Sequence, residues 1–261
     1  MILVPAGEFL MGSPPAEKGR DPDSDWPAHR VIMEKPLYIG KYEITQAHWI
    51  AVMGQLPLAD PDSQTQQAAG NNYPVANMNW VDASDFCNRL SELFGLKPVY
   101  RKNHLSTDYQ ANGFRMPAEA EWEYACRAGT TTRFSHGNVL ECEEYGCQDC
   151  EIHERYMWWC GNSGGTVMEV GLKLPNPWGF FDMHGNVSEI CTDPYYHPDG
   201  SDDGYLQGQI IRGGNFALKP VYCRSAHREQ IDPVTRSRRH GFRLALPVSG
   251  ASSVDRWERA K

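Results

Sequence analysis

The sequence lacks the features that mark several large functional classes. No stretch of its 261 residues approaches the run of about 18 apolar side chains that a membrane-spanning helix needs. Positive charge is in deficit: 25 Lys and Arg against 33 Asp and Glu give a net charge of −8. That excludes broad nucleic-acid binding, which depends on a basic face. Cysteine is sparse for a disulfide scaffold, eight residues in the whole chain. There is no internal repeat, no low-complexity linker and no break in composition, so one domain is expected over 1–247, followed by a polar tail at 248–261. No secretory h-region is evident either, because Pro5-Ala6-Gly7 interrupts the short apolar run Ile2 to Val4.

What the chain has in quantity is turn formers and rings: 24 Gly and 18 Pro, with eight Trp and twelve Tyr. That mixture suits irregular backbone held by aromatic packing. Strand-like patterns occur at Ile2 to Met11, Val31 to Ile44, Gln209 to Arg212 and Gly241 to Leu246. Three helices are predicted. Thr45 caps Gln46 to Met53, with Gly54 as its stop; Asn79 caps a segment in which Ala83, Phe86, Cys87, Leu90 and Leu93 share a face until Gly95; and Pro117 opens one from about Ala118 to Arg127, ended by Gly129. Polar residues from Asp60 to Asn72 read as a loop. Few helices and short strands give an α+β domain with much irregular backbone.

The cysteines divide into two groups. Cys87, Cys126, Cys191 and Cys223 sit among apolar or helical neighbours and read as small buried hydrophobes. Cys142, Cys147, Cys150 and Cys160 crowd a polar, turn-rich stretch, where they read as local disulfides or, from the Cys147-Gln148-Asp149-Cys150 spacing, as zinc ligands. Disulfides place the protein in the periplasm or outside the cell. Basic charge concentrates between Arg212 and Arg243, where seven arginines and Lys219 meet only Glu229 and Asp232. Guanidinium forks suit a carboxylate, sulfate or phosphate, so Arg212, Asn215, Lys219, Arg224 and Arg228 form a candidate anion-binding set. The alternative is that Arg212, Arg228 and Arg243 pair with acids elsewhere and pin loops. His184, His227 and His240 read as hydrogen-bonding spacers, with no catalytic residue assigned.

Several segments taken in order carry a family resemblance. They are Val4-Pro5-Ala6-Gly7-Glu8-Phe9 with Met11-Gly12-Ser13, Tyr42-Glu43-Ile44-Thr45, Phe114-Arg115-Met116-Pro117 with Glu119 to Ala125, and Pro175-Asn176-Pro177-Trp178-Gly179. Asp182-Met183-His184-Gly185-Asn186-Val187, Arg212-Gly213-Gly214, Arg224-Ser225-Ala226 and Gly241-Phe242-Arg243 complete the series. From Val4 to Leu246 the chain resembles the formylglycine-generating enzyme (sulfatase-modifying factor) family. The resemblance implies a loop-rich, C-type-lectin-like domain with few helices and short antiparallel strands.

The family's founding activity oxidises a sulfatase cysteine with copper held by a cysteine pair just beyond the Arg-Gly-Gly motif. Here Leu218 stands where the first of the pair is expected and no cysteine occurs before Cys223, so copper and formylglycine chemistry are not expected. The histidine-rich iron set of a related branch is also missing. Structural calcium is implied by the resemblance, with Asp182, the Gly185 and Val187 carbonyls and Glu189 as ligands. Ser188 and Ile190 replace tryptophans common in the family, which would reshape a neighbouring cleft. The expected function is therefore binding or protection, with a small anionic ligand or a protein partner; antibiotic self-resistance of the carbapenem intrinsic-resistance type is one form of it. The alternative is a copper-independent enzyme of altered chemistry, such as one acting on siderophore precursors.

Overall fold

The computed structural model describes residues 1–57, 69–101, 107–139, 142, 145–196 and 208–249. Most of the tail and much of the loop expected between Asp60 and Asn72 lie outside the described residues. No described helix is long and apolar enough to cross a membrane.

The first strand pattern is broken at Pro5 into β1 (Ile2–Val4) and β2 (Gly7–Met11), which join different sheets. β2 pairs antiparallel with β3 (His29–Met33), and β1 pairs antiparallel with β4 (Leu37–Ile39). The helices form where their caps place them. The Thr45 hydroxyl accepts the His48 amide at the start of α1 (Gln46–Met53), and Gly54 ends it at φ 88°. Asn79 and Asp82 cap each other's amides at the start of α2 (Trp80–Leu93). Helix α3 (Glu119–Arg127) ends one residue before the expected glycine, at Ala128 with φ 48°. A further short helix, α4 (Glu151–Tyr156), was not legible in the sequence.

The second half supplies a four-stranded sheet, β7-β6-β5-β8, from β5 (Ser188–Pro194), β6 (Gln209–Arg212), β7 (Arg228–Ile231) and β8 (His240–Gly241). The strand expected over Gly241 to Leu246 divides in two. β8 pairs parallel with β5, whereas β9 (Ala245–Pro247) pairs antiparallel with β4, because Phe242 and Arg243 turn into the core between them. Strand pairing is thus antiparallel except at β5–β8.

Two large apolar clusters make up most of the buried core. In one, Trp49 stacks on Phe86 at 5.2 Å while Phe242 meets both rings edge-on. The other gathers Ile39, Trp122, Phe180, Met183 and Cys191. A smaller cluster contains Phe134, Met157, Trp159 and Cys223 beside the crowded cysteines. Those cysteines form interleaved disulfides, Cys142–Cys150 and Cys147–Cys160, which excludes zinc at the Cys147–Cys150 pair. Cys87, Cys126, Cys191 and Cys223 are free and buried, as expected of small hydrophobes.

The Cys147–Cys160 bridge closes a loop of sequence separation 13 in a region with little regular structure. By the chain-entropy estimate it stabilises the fold by about 3 kcal/mol. The double variant Cys147→Ser/Cys160→Ser should therefore unfold at lower temperature by calorimetry. An unchanged Tm would show that the bridge does not constrain the folding unit.

Candidate functional site

The arginines expected to grip an anion already have partners. Arg212, on β6, directs one guanidinium nitrogen to the Glu123 carboxylate and to the Ser225 carbonyl at 2.8 Å. Its other nitrogen donates to the Ala226 and His227 carbonyls at 2.9 and 2.7 Å. Arg228 forks onto Glu119 at 2.7 and 3.1 Å, with its guanidinium between the rings of Trp26 and Tyr195. Arg224 joins Glu17 at 2.6 Å and Asp25 at 2.8 Å. All three side chains are buried. An incoming anion would have to displace a buried carboxylate from each, so the anion-binding expectation fails at Arg212, Arg224 and Arg228. Arg212, Arg228 and Arg243 instead pair with distant acids, as the alternative had it, and Arg224 pairs in the same way. Asn215 is also turned inward, donating to the Ser188 hydroxyl at 2.9 Å, while Lys219 is exposed.

The segment Asp182 to Glu189 forms a tight turn in which Asp182 and Asn186 both take φ 57°. Gly185 must be glycine here: it has φ 87°, and a Cβ would lie 2.0 Å from the Trp158 carbonyl oxygen. Glu189, at the start of β5, receives Arg243 through two nitrogens, each at 2.6 Å, and the Trp122 indole N–H at 3.0 Å. Asp182 accepts the Gly171 amide at 2.7 Å, and its other oxygen is buried without a hydrogen-bond partner. Of the expected calcium ligands Asp182, Gly185, Val187 and Glu189, the Asp182 side chain keeps one oxygen without a hydrogen-bond partner, whereas Glu189 is committed to Arg243. A hard cation needs several oxygens turned toward it, and at Glu189 it would compete with the Arg243 guanidinium, which engages both carboxylate oxygens. Among the described residues, no group of three or more His, Cys, Asp and Glu side chains is placed to hold a metal.

Sequence reasoning passed over the carboxyl group beside this turn. Glu43 is buried, accepting the Asn186 side-chain amide at 2.8 Å and the Val187 amide at 3.2 Å. Burial, with Asp182 and Glu189 nearby, holds its carboxyl well above the ordinary range. Burial likewise pushes Asp182 up to about 6. Of these three acids, Glu189 is the one that Arg243 engages by hydrogen bonds.

Cys223, the first cysteine beyond the Arg-Gly-Gly motif, is not an open ligand. Cys223 is wholly buried, its thiol donates to the Lys219 carbonyl, and a Cβ on Gly214 would sit 2.6 Å from the sulfur. Burial raises its pKa, away from the thiolate that Cu(I) requires. The other free cysteines belong to different apolar clusters. The residues present therefore do not fit a copper-thiolate pair.

A second buried feature was legible only once the chain was folded. His136 lies between the rings of Phe134 and Tyr156, at 5.1 and 4.6 Å, and contacts His153 through ring nitrogens at 3.2 Å. His184 packs edge-on to His136 at 5.4 Å. Its Nε2 accepts the Ser135 amide at 3.0 Å, so Nδ1 carries the hydrogen and donates to the Cys223 carbonyl at 2.8 Å. Burial lowers all three histidines, His153 and His184 to about 4.

The fold and this turn define a class. The sulfatase-modifying factor enzyme 1-like domain matches residues 1–248, and the chain belongs to that family, with its C-type-lectin-like fold. It is 30% identical over 204 residues to the chaperone protein LppX of Paenibacillus barcinonensis, covering 69% of each chain. It is 28% identical to mouse formylglycine-generating enzyme, over 94% of this chain and 74% of the enzyme. Among solved structures, Treponema denticola variable protein 1 superposes with a TM-score of 0.77 at 29% identity, covering 95% of this chain and 94% of that one. PvdO from Pseudomonas aeruginosa gives 0.74 at 27%, covering 94% and 93%.

Two predictions follow from the buried charges. Glu123→Gln leaves Arg212 and Arg127 facing a neutral amide in the core, and should cost about 3–5 kcal/mol in urea unfolding. A cost below about 1 kcal/mol would mean that water replaces the carboxylate. Acid should also destabilise the fold. The histidines titrate lower in the folded chain than in the unfolded one, so the unfolded state takes up protons first as pH falls from 6.5 toward 4. Asp182 acts with opposite sign, favouring the fold as pH falls from about 6 toward 3.8. In melting curves between pH 7.5 and 5, His136→Phe, which keeps a ring between Phe134 and Tyr156, should flatten the acid loss; a parallel profile would exclude His136 from it.

Proposed function

We propose that this protein binds and protects a partner or ligand and does not oxidise sulfatase cysteines. One observation carries the reading: Leu218 stands where the first cysteine of the family's pair is expected, and the next thiol along the chain, Cys223, is sealed under Gly214 with burial opposing the thiolate. The C-type-lectin-like scaffold around it is intact, and such a scaffold presents loops on a rigid frame. The relative called a chaperone supports a role exercised through binding. The two disulfides fit an oxidising compartment, so we assign the protein to the periplasm or the cell exterior. Carbapenem protection is the narrower form of this reading. The buried arginines offer the carboxylate of such a drug no grip, so the broader form stands here.

The test is direct. Full-length protein loaded with copper, incubated with a sulfatase-type cysteine peptide and oxygen, should leave the peptide mass unchanged. Conversion of that cysteine to the aldehyde, seen as a mass loss and trapped by a hydrazine, would overturn the proposal.

A further inference from the structure

A cavity of about 670 Å³ opens beside α1, α2 and the segment 40–44. Its walls are mainly apolar, with Ile44, Val52, Phe86, Leu90, Phe94 and Leu244 among the main surfaces. The size falls within the range of pockets that enclose small molecules. Leu93 also lines it and is 58% exposed, a large apolar side chain facing water on a helix whose other apolar residues are packed inward.

The polar groups of the cavity are few and unequal. The Lys41 ammonium lies over the rings of Tyr42 and Phe181, 5.3 and 5.1 Å from their centroids, and makes no ion pair among the described residues. Glu43 is turned to the interior, where its carboxyl oxygens accept hydrogen bonds from Asn186 and Val187. Both of those oxygens are thereby committed away from the cavity. His48 is committed to the α1 cap, its Nδ1 lying 3.0 Å from the Thr45 hydroxyl. That leaves one unpaired cation beside a deep apolar wall, which is a match for a ligand with one anionic group and a long apolar body.

We propose that this cavity binds an amphiphilic monocarboxylate, its apolar chain of about ten to twelve carbons lying along Phe86, Leu90 and Leu244 and its carboxylate meeting Lys41. The inference rests on the binding reading above and supplies its ligand class. Chain burial provides the affinity and Lys41 selects the head group. This is a different use of positive charge from the one expected at Arg212, Arg224 and Arg228: an exposed amine with no ion pair among the described residues, not a buried fork already matched to an acid.

The test uses the full chain in titration calorimetry, below the micelle concentration of each probe, with octanoate, decanoate, dodecanoate and 1-dodecanol. Dodecanoate should bind at least tenfold more tightly than dodecanol. Affinity should rise about fourfold for each methylene added from octanoate to dodecanoate, the equivalent of about 0.8 kcal/mol. Lys41→Met should bring dodecanoate down to the level of dodecanol. Ala51→Trp, at an exposed lining position, should abolish binding of both; Leu93→Glu tests the same wall should the tryptophan variant not fold. Absence of saturable binding, equal affinity for acid and alcohol, or indifference to these substitutions would each overturn the proposal. So would a chain that dimerises through this face, losing its dimer in Leu93→Glu while binding no dodecanoate. The copper–peptide assay keeps the two readings apart: a failed titration with untouched peptide removes this ligand and not the binding role, whereas oxidised peptide removes the binding role itself.

Discussion

Buried guanidinium–carboxylate pairing is the constraint on which this architecture depends. Much of the chain is loop, and a loop has no repeating ladder of its own to fix where it runs. Here Arg224, just after the 3-10 turn Pro220–Cys223, reaches Glu17 and Asp25 in the loop between β2 and β3. Arg228 on β7 takes Glu119 at the first turn of α3, and Arg212 on β6 takes Glu123 one turn later. Arg243 joins Glu189 and ties the last motif of the chain to the Gly-Asn turn. Each contact spans at least 50 residues of sequence. A wrong loop docking would strand a charge in the interior, at a cost of several kcal/mol, so the pairs select one arrangement even where their net contribution to stability is small.

This also explains which parts of the fold the sequence disclosed. Helices α1 and α2 were legible because their signals are local: a capping side chain, a face of apolar residues at helical spacing, and a glycine after the last turn. The cysteine crowd disclosed its disulfides through density alone, though not the interleaved order. The basic stretch misled because charge reads as exposure until partners are known. Its acids lie about 50 to 200 residues away, and no local pattern links Arg224 to Glu17 or Arg228 to Glu119. Of the two readings open for these arginines, only the folded chain decides. β5 went unread for a related reason: both of its faces are buried, so it lacks the alternation that marks a half-exposed strand. The strand read over Gly241 to Leu246 failed because Arg243 must turn inward to meet Glu189, which splits the run between two sheets.

The Gly-Asn turn shows how a motif can persist while its chemistry changes. Its glycine is required by the Trp158 backbone and its asparagine holds Glu43, both of which are folding roles. Around it, Glu43, Asp182 and Glu189 share one Arg243, and two of those carboxyls titrate upward because burial and mutual repulsion oppose their charge. A cation there would have to compete with the guanidinium. The arrangement is better described as a neutralised acidic cluster serving as a structural joint between β5, the last motif and the segment before α1.

The same logic separates this chain from an oxidase built on the same frame. A copper centre needs two soft ligands, deprotonated and reachable by substrate. Cys223 meets none of these conditions: the other cysteines of its cluster are tied up in disulfides, the Gly214 backbone seals it, and burial strips it of the solvation that a thiolate needs. Restoring one cysteine at Leu218 would not be enough, because its backbone is fixed on both sides: the Leu218 carbonyl accepts the Cys160 amide at 3.0 Å and its own amide donates to Asn215. That position is tied to the disulfide-bearing segment, so regaining the centre would require moving the segment as well as changing the residue. In open form the frame retains an apolar cavity whose Lys41 makes no ion pair among the described residues, and the proposed binding role can rest on that surface.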